Sequence, residues 1–277
     1  MTSPSARSRS AFTLVELLVV IAIIALLIAV LLPALGKATQ ASRDSASGSN
    51  LRQLGIGIEM YKNDFDRELP QARVDAAGNL VKRPDGDNIG ALFGGKLGTL
   101  PALGIDRIGA QRRPLNTYVW EGPVHDDDSP DARDFELDVF RDPSDRGTES
   151  PQLAFFPDVD RSSMYELLGT SYNLNDHALD DDPFTERYPT LIPKEGGRPP
   201  RVSWPTRVWL LADQAIYNYD NGSNAQMYWR RPSQVTSVML FFDMHAKIGV
   251  DVPEGVVQTT DDYTFLPRQD WLEQFDG

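Results

Sequence analysis

The sequence predicts an α+β fold in which a long N-terminal α-helix packs on an antiparallel β-sheet head rich in loops. The helix is announced by an unbroken apolar run, Leu17 to Leu32. Further on, Leu51, Leu54, Ile58 and Tyr61 recur at three- and four-residue steps, as an amphipathic helix requires. The sheet is announced near the C-terminus by the short apolar runs Arg207–Ala212 and Val238–Phe242, each bounded by polar turns. A hairpin is expected to turn at Asp243-Met244-His245 into Ala246–Val250. With 20 Pro and 21 Gly, the head is expected to be loop-rich. A helix and a sheet that each carry one apolar face bury each other.

Taken in order, residues 1–11 are short, basic and polar, with Arg7 and Arg9 and no acid. Residues 12–35 are long enough to cross a membrane, since ~1.5 Å per residue carries them roughly 36 Å against a hydrocarbon core of about 30 Å. The positive-inside tendency keeps the N-terminus cytoplasmic and sends the remainder outward. Glu16 stands at the mouth of this run, where a charge in hydrocarbon costs about 2.5–3.5 kcal/mol, so it calls for a function. A simpler reading gives it only a favourable interaction with the helix dipole, ~0.3–1 kcal/mol. Past Pro33 the helical signal continues through residues 36–65, with Ala34, Ala38 and Ala41 on a small-residue face and Gly48 as a point where the helix is expected to bend or break. Residues 66–277 form the head.

The segment Arg7-Ser8-Arg9-Ser10-Ala11 followed by Phe12-Thr13-Leu14-Val15-Glu16 resembles the type IV pilin-like prepilins, including the pseudopilins of type II secretion. Ala11 stands where that family has Gly. The resemblance implies that a prepilin peptidase cuts between Ala11 and Phe12 and methylates the freed amine of Phe12. Pro33 falls where many such subunits kink the helix. Glu16 lies one helical turn from the Phe12 amine, and in a filament it pairs with the amine of a neighbouring subunit. Desolvation offsets much of that attraction, so the pair specifies register more than it supplies stability. The implied partners are the peptidase, other pseudopilin subunits, the inner-membrane platform of a secretion machine and the lipid bilayer. The implied location is a bacterial inner membrane, single-pass, with the head in the periplasm.

Further islands resemble a large group of bacterial pseudopilin-like proteins. They are Asn50-Leu51-Arg52-Gln53-Leu54-Gly55, Tyr61-Lys62-Asn63-Asp64, Leu69-Pro70, and Thr170-Ser171-Tyr172-Asn173-Leu174-Asn175. Val139-Phe140-Arg141-Asp142-Pro143-Ser144-Asp145 has Asp142 where the group has Cys. Val238–His245 resembles the opening of a signature of His, nine residues and Asp-Gly, with Met244 for Gly and Glu254-Gly255 one residue early.

The rival reading is a secretory signal peptide cut after Ala34-Leu35-Gly36, which would release a binding protein or hydrolase. Against it, the apolar run exceeds the usual ~7–15 residues and contains Glu16.

The net charge of −13 becomes −15 without Arg7 and Arg9, which argues against a nucleic-acid partner. Cysteine is absent, which excludes thiol catalysis. No G-x-S-x-G motif appears, and Gly94-Gly95-Lys96 lacks the rest of a P-loop, so the chain reads as a non-enzyme without a cofactor motif. Two Asp-rich runs have the oxygen chemistry of a calcium site: Asp126, Asp127 and Asp128 with Asp131 and Asp134, and Asp180–Asp182. They equally read as solvated connectors. His125, His177 and His245 share no zinc-binding spacing. Trp204, Trp209, Trp229, Tyr217, Tyr219 and Tyr228 read either as core or as a sugar-binding surface.

Overall fold

The computed structural model describes residues 14–150, 153, 155–176, 190–193, 195–222, 227–254 and 259–272. The chain divides into two compact units, residues 1–42 and 43–277. Helix α1, Leu14–Asp64, contributes to both and is 51 residues long. It runs through Pro33 and Gly48 without interruption. The break expected at Gly48 is absent because the residue is buried against β6 (Ala246–Asp251), where an added Cβ would lie 3.2 Å from Ile248 Cδ1. The lost helix propensity of about 1 kcal/mol is thus offset by close packing.

In the first unit, residues 14–42 are helical and almost wholly exposed, including Ala34, Ala38 and Ala41. In the second unit, α1 buries Leu51, Leu54, Ile58 and Tyr61, the stripe its spacing predicts. Each such aliphatic side chain contributes roughly 1.5–3 kcal/mol when removed from water. Two glycines on this face admit close neighbours. A Cβ on Gly55 would sit 2.8 Å from Leu240 Cδ2, and one on Gly57 only 2.4 Å from Val119 Cγ1 on α2, Asn116–Val119. The helix closes where Asp66 and Arg67 adopt left-handed backbone and the Arg67 amide donates to the Lys62 carbonyl at 2.8 Å.

The main sheet is antiparallel, in the order β3 (Tyr172–Leu174), β4 (Trp209–Asp213), β5 (Thr236–Phe241), β6. β4 and β5 lie where the apolar runs place them, and the β5–β6 hairpin turns at the expected residues, with Leu240 opposite Ala246 and Met239 opposite Lys247. A two-stranded ribbon, β1 (Arg73–Val74) with β2 (Asp87–Asn88), stands apart.

The sheet departs from the expected single apolar face. β4 and β5 are buried at every position. Leu210, Leu211, Val238 and Leu240 join the α1 stripe in one cluster, whereas Trp209, Ala212, Met239 and Phe241 join Trp229, Phe265 and Ile216 in another. Alternation along a strand sends neighbours to opposite faces, except at the irregularity between Trp209 and Leu211 that leaves Leu210 and Leu211 in one cluster, and continuous apolar runs therefore need cover on both. Loops together with the short helical segments Gly90–Phe93, Met164–Leu168 and Gln214–Gly222 supply the second cover.

At the hairpin, Met244 takes φ +70° at the position where the resembling group has glycine. Its side chain packs into the α1 cluster, with its sulfur 3.4 Å from where a Gly55 Cβ would stand. Packing on the helix compensates for a backbone conformation that glycine adopts freely.

Replacing Gly57 with valine is expected to destabilise the head by about 1–3 kcal/mol through overpacking against Val119, read as a lower urea midpoint at unchanged slope.

Candidate processing and assembly site

Helix α1 begins at Leu14, with Glu16 in its first turn. Ala11 and Phe12, the residues expected to flank the cut, lie outside the described residues. Glu16 is exposed, as are the side chains around every side of the helix that follows, with Leu14 80% and Leu26 68% accessible. A helix apolar all round is buried in a core or in a membrane. By length and composition this one suffices to cross a membrane, and nothing within the described chain covers it. Pro33 sits inside it, removing one intrahelical donor.

The islands of resemblance in the head converge on one framework. Asp145 accepts from the amides of Gly147, Met164 and Tyr165 at 2.8–2.9 Å and from the hydroxyls of Ser163 and Ser171. It thereby holds the start of α3 (Met164–Leu168), where Ser163 accepts from the Glu166 amide, and joins the Pro143-Ser144-Asp145 and Thr170-Ser171-Tyr172 segments. Gly169 ends α3 at φ +82°, where a Cβ would lie 2.0 Å from the Lys96 carbonyl oxygen. Asn50 on α1 donates to the Arg141 carbonyl at 2.9 Å, and Ser47 donates to Asp142 at 2.9 Å. Asn175 donates to the carbonyls of Trp209 and Phe265 at 2.9 and 3.0 Å. Through these side chains the motif residues and their neighbours tie separate backbone segments together.

Residues 6–32 match a family described as the prokaryotic N-terminal methylation motif. The chain carries a prepilin-type N-terminus. The match contains Ala11, Phe12 and Glu16, together with most of the apolar run. It implies processing by a prepilin peptidase, anchoring by the N-terminal helix and assembly with other pilin subunits. No curated protein and no solved structure matches the chain.

The head of this prepilin-type chain puts its other candidate residues to structural use. Asp127 is buried and accepts from the Gly109 and Gln111 amides, each at 2.9 Å, and from Arg112 at 2.7 Å. Asp126 accepts the Asp128 amide at 3.0 Å, while Asp128 is exposed. Among the described residues, no three acidic or histidine side chains are grouped to hold a metal ion. Asp180–Asp182 and His177 lie outside those residues. His125 stands 3.5 Å from Asp131 and stacks on Phe135, and His245 contacts Asp243 and stacks on Phe241 at 4.3 Å.

Lys96 is buried between Glu136 and Glu166 at 2.7 and 2.8 Å, with its ammonium 4.8 Å from the centre of the Tyr165 ring. It is a structural cation. Trp209 and Trp229 are core, and the Trp229 indole donates to the Gly147 carbonyl at 2.7 Å. Trp204, Tyr217 and Tyr228 are half-buried against the two clusters, and the Tyr219 side chain is outside those described.

Among the described residues, the buried cations that sequence reasoning missed include Arg113 and Arg230. Arg113 donates to the carbonyls of Ile108, Ala91, Gly94 and Leu168, and burial pushes its guanidinium down to about 9. Arg230 pairs with Asp142 and Asp213. Neither lies in a recognisable motif, and the partners of Arg230 are far apart in sequence, so no spacing rule connects them.

Asp145→Ala is expected to cost the head more than about 2 kcal/mol, because it strips a cap and leaves buried amides without acceptors. Urea unfolding followed by tryptophan fluorescence measures this.

Proposed function

We propose that the chain is a structural pseudopilin-like subunit, cut between Ala11 and Phe12, methylated at Phe12 and assembled through α1 into a type II secretion pseudopilus or a type IV pilus-like filament. The observation that carries this reading is an uncovered apolar helix with one acid in its first turn, inside a matched methylation motif. In a bilayer the helix is solvated by lipid. On assembly it exchanges lipid for neighbouring helices, and Glu16 then meets the amine that processing creates on an adjacent Phe12. A mismatched register leaves that carboxylate without its cation in hydrocarbon, so charge pairing selects the stagger between subunits. The work comes from the inner-membrane platform of the machine, and the head stays on the periplasmic side.

The acidic head suits solubility outside the membrane, and the absence of nucleophile, cofactor and phosphate-binding motifs supports a mechanical rather than enzymatic role.

N-terminal sequencing and mass measurement of the protein from membranes test the processing step. A chain starting at methylated Phe12, and retaining residues 1–11 when the peptidase gene is deleted, is expected. A chain starting at Lys37 supports release by a signal peptidase and overturns the reading.

Glu16→Ala is expected to insert into membranes as the parent does and to abolish sheared or cross-linked filament. Normal assembly of that variant would remove the docking role.

A further inference from the structure

Three carboxylates from three parts of the second unit converge on one guanidinium. Arg230, in the loop before β5, contacts Asp213 at the end of β4 and Asp142 in the loop after residues 138–140. Its Nε lies 3.3 Å from Asp44 on α1. The side chains of Asp142 and Asp213 are fully buried, that of Arg230 is 2% exposed and that of Asp44 25%.

Other polar groups complete the surroundings. From α1, the Ser47 hydroxyl donates to Asp142 at 2.9 Å. From the 141–145 loop, the Ser144 amide donates to Asp142 at 2.7 Å, and Asp145 adds a further negative charge nearby. β3 contributes the buried Tyr172 phenol, which burial and Asp142 hold well above its ordinary range and so keep neutral. β5 contributes the Val238 amide, donating to Asp213 at 3.2 Å, and the Thr236 carbonyl, accepting from Arg230 at 3.3 Å. Beyond β4, the Ala215 amide donates to Asp213 at 3.2 Å.

One cation cannot neutralise the two fully buried carboxylates of Asp142 and Asp213, and their surplus negative charge is held where water is excluded. Asp44 belongs to the helix, whereas Asp142 and Asp213 belong to the surface it rests on. Their mutual repulsion therefore acts across the seat of α1. We propose that the Asp44–Asp142–Asp213–Arg230 cluster is a proton-operated latch, which holds residues 44–50 of α1 tightly on the head when it has taken up a proton and loosens them when the proton leaves. A proton taken up by either Asp142 or Asp213 leaves one balanced ion pair between the other carboxylate and Arg230.

The direction in pH follows from burial. Desolvation outweighs the attraction of Arg230 at Asp213, and Asp142 adds repulsion, pushing Asp213 up to about 6; Asp142 is raised as well. A carboxyl that binds its proton more tightly in the folded state stabilises that state most below both values, and the advantage is lost as pH rises through the folded one. The latch is accordingly firm in mild acid and slack above pH 6.

The test uses the full mature chain in detergent, with hydrogen exchange of residues 43–50 corrected for the intrinsic pH dependence of exchange. Protection there is expected to fall by roughly an order of magnitude from pH 4.5 to 7.5 in the parent, in the direction set by the raised Asp213 carboxyl. In Asp213→Asn, the fall is expected to be nearly abolished. Should that variant fail to fold, Asp44→Asn, which removes the helix-borne charge from a site 25% exposed, is expected to reduce the fall severalfold. Protection that does not change with pH in the parent overturns the latch. So does a fall of the same size in Asp213→Asn or, where that variant is unfolded, in Asp44→Asn.

Discussion

Burial of Leu51, Leu54, Ile58 and Tyr61 on one stripe of α1 is the interaction on which the head depends. The stripe closes one face of a sheet whose central strands are apolar on both sides, and Gly55 and Gly57 let Leu240 and Val119 approach the helix closely. Side chains larger than hydrogen at those two positions would push the helix away from Leu240 on β5 and Val119 on α2. Residues that resemble a wider bacterial group, together with Ser47, then secure this seat. Asn50 and Ser47 hold the helix to the 141–145 loop, and Asp145 holds that loop to α3 and β3.

The N-terminal part of the same helix has the opposite problem. Its apolar side chains point outward on all sides, and no segment of the described chain covers them. Lipid or other helices must provide the cover, which is why the matched methylation motif and the chemistry of Glu16 bear on function more directly than anything in the head. The single acid in that run is tolerable near the helix start, where the dipole favours it and water or headgroups remain within reach.

Charge is used unequally in the head. Surface pairs such as Lys247–Asp262 and Arg268–Asp270 are half-exposed and contribute little in water. Asp145, Asp127 and Arg113 act by accepting or donating several hydrogen bonds to backbone groups that loops leave unpaired, a service a loop-rich fold needs repeatedly. The Arg230 cluster differs, because its anions outnumber its cation and its protonation state therefore affects how the head is seated.

The sequence by itself determined the elements that rest on local periodicity and on length. Those are the apolar helix, the stripe from Leu51 to Tyr61, the strands expected at Arg207–Ala212 and Val238–Phe242 and found at Trp209–Asp213 and Thr236–Phe241, and the hairpin at Asp243-Met244-His245. Each follows from side-chain spacing of about 3.6 or 2 residues, which any reader of the chain can measure. Tertiary structure alone decided that Gly48 would not interrupt the helix, that the sheet would be covered on both faces, and that Asp127 would turn inward to backbone amides. It alone brought Asp44, Asp142 and Asp213 to Arg230. These outcomes depend on which segments meet in space, and contacts between residues nearly two hundred positions apart leave no periodic trace in the sequence.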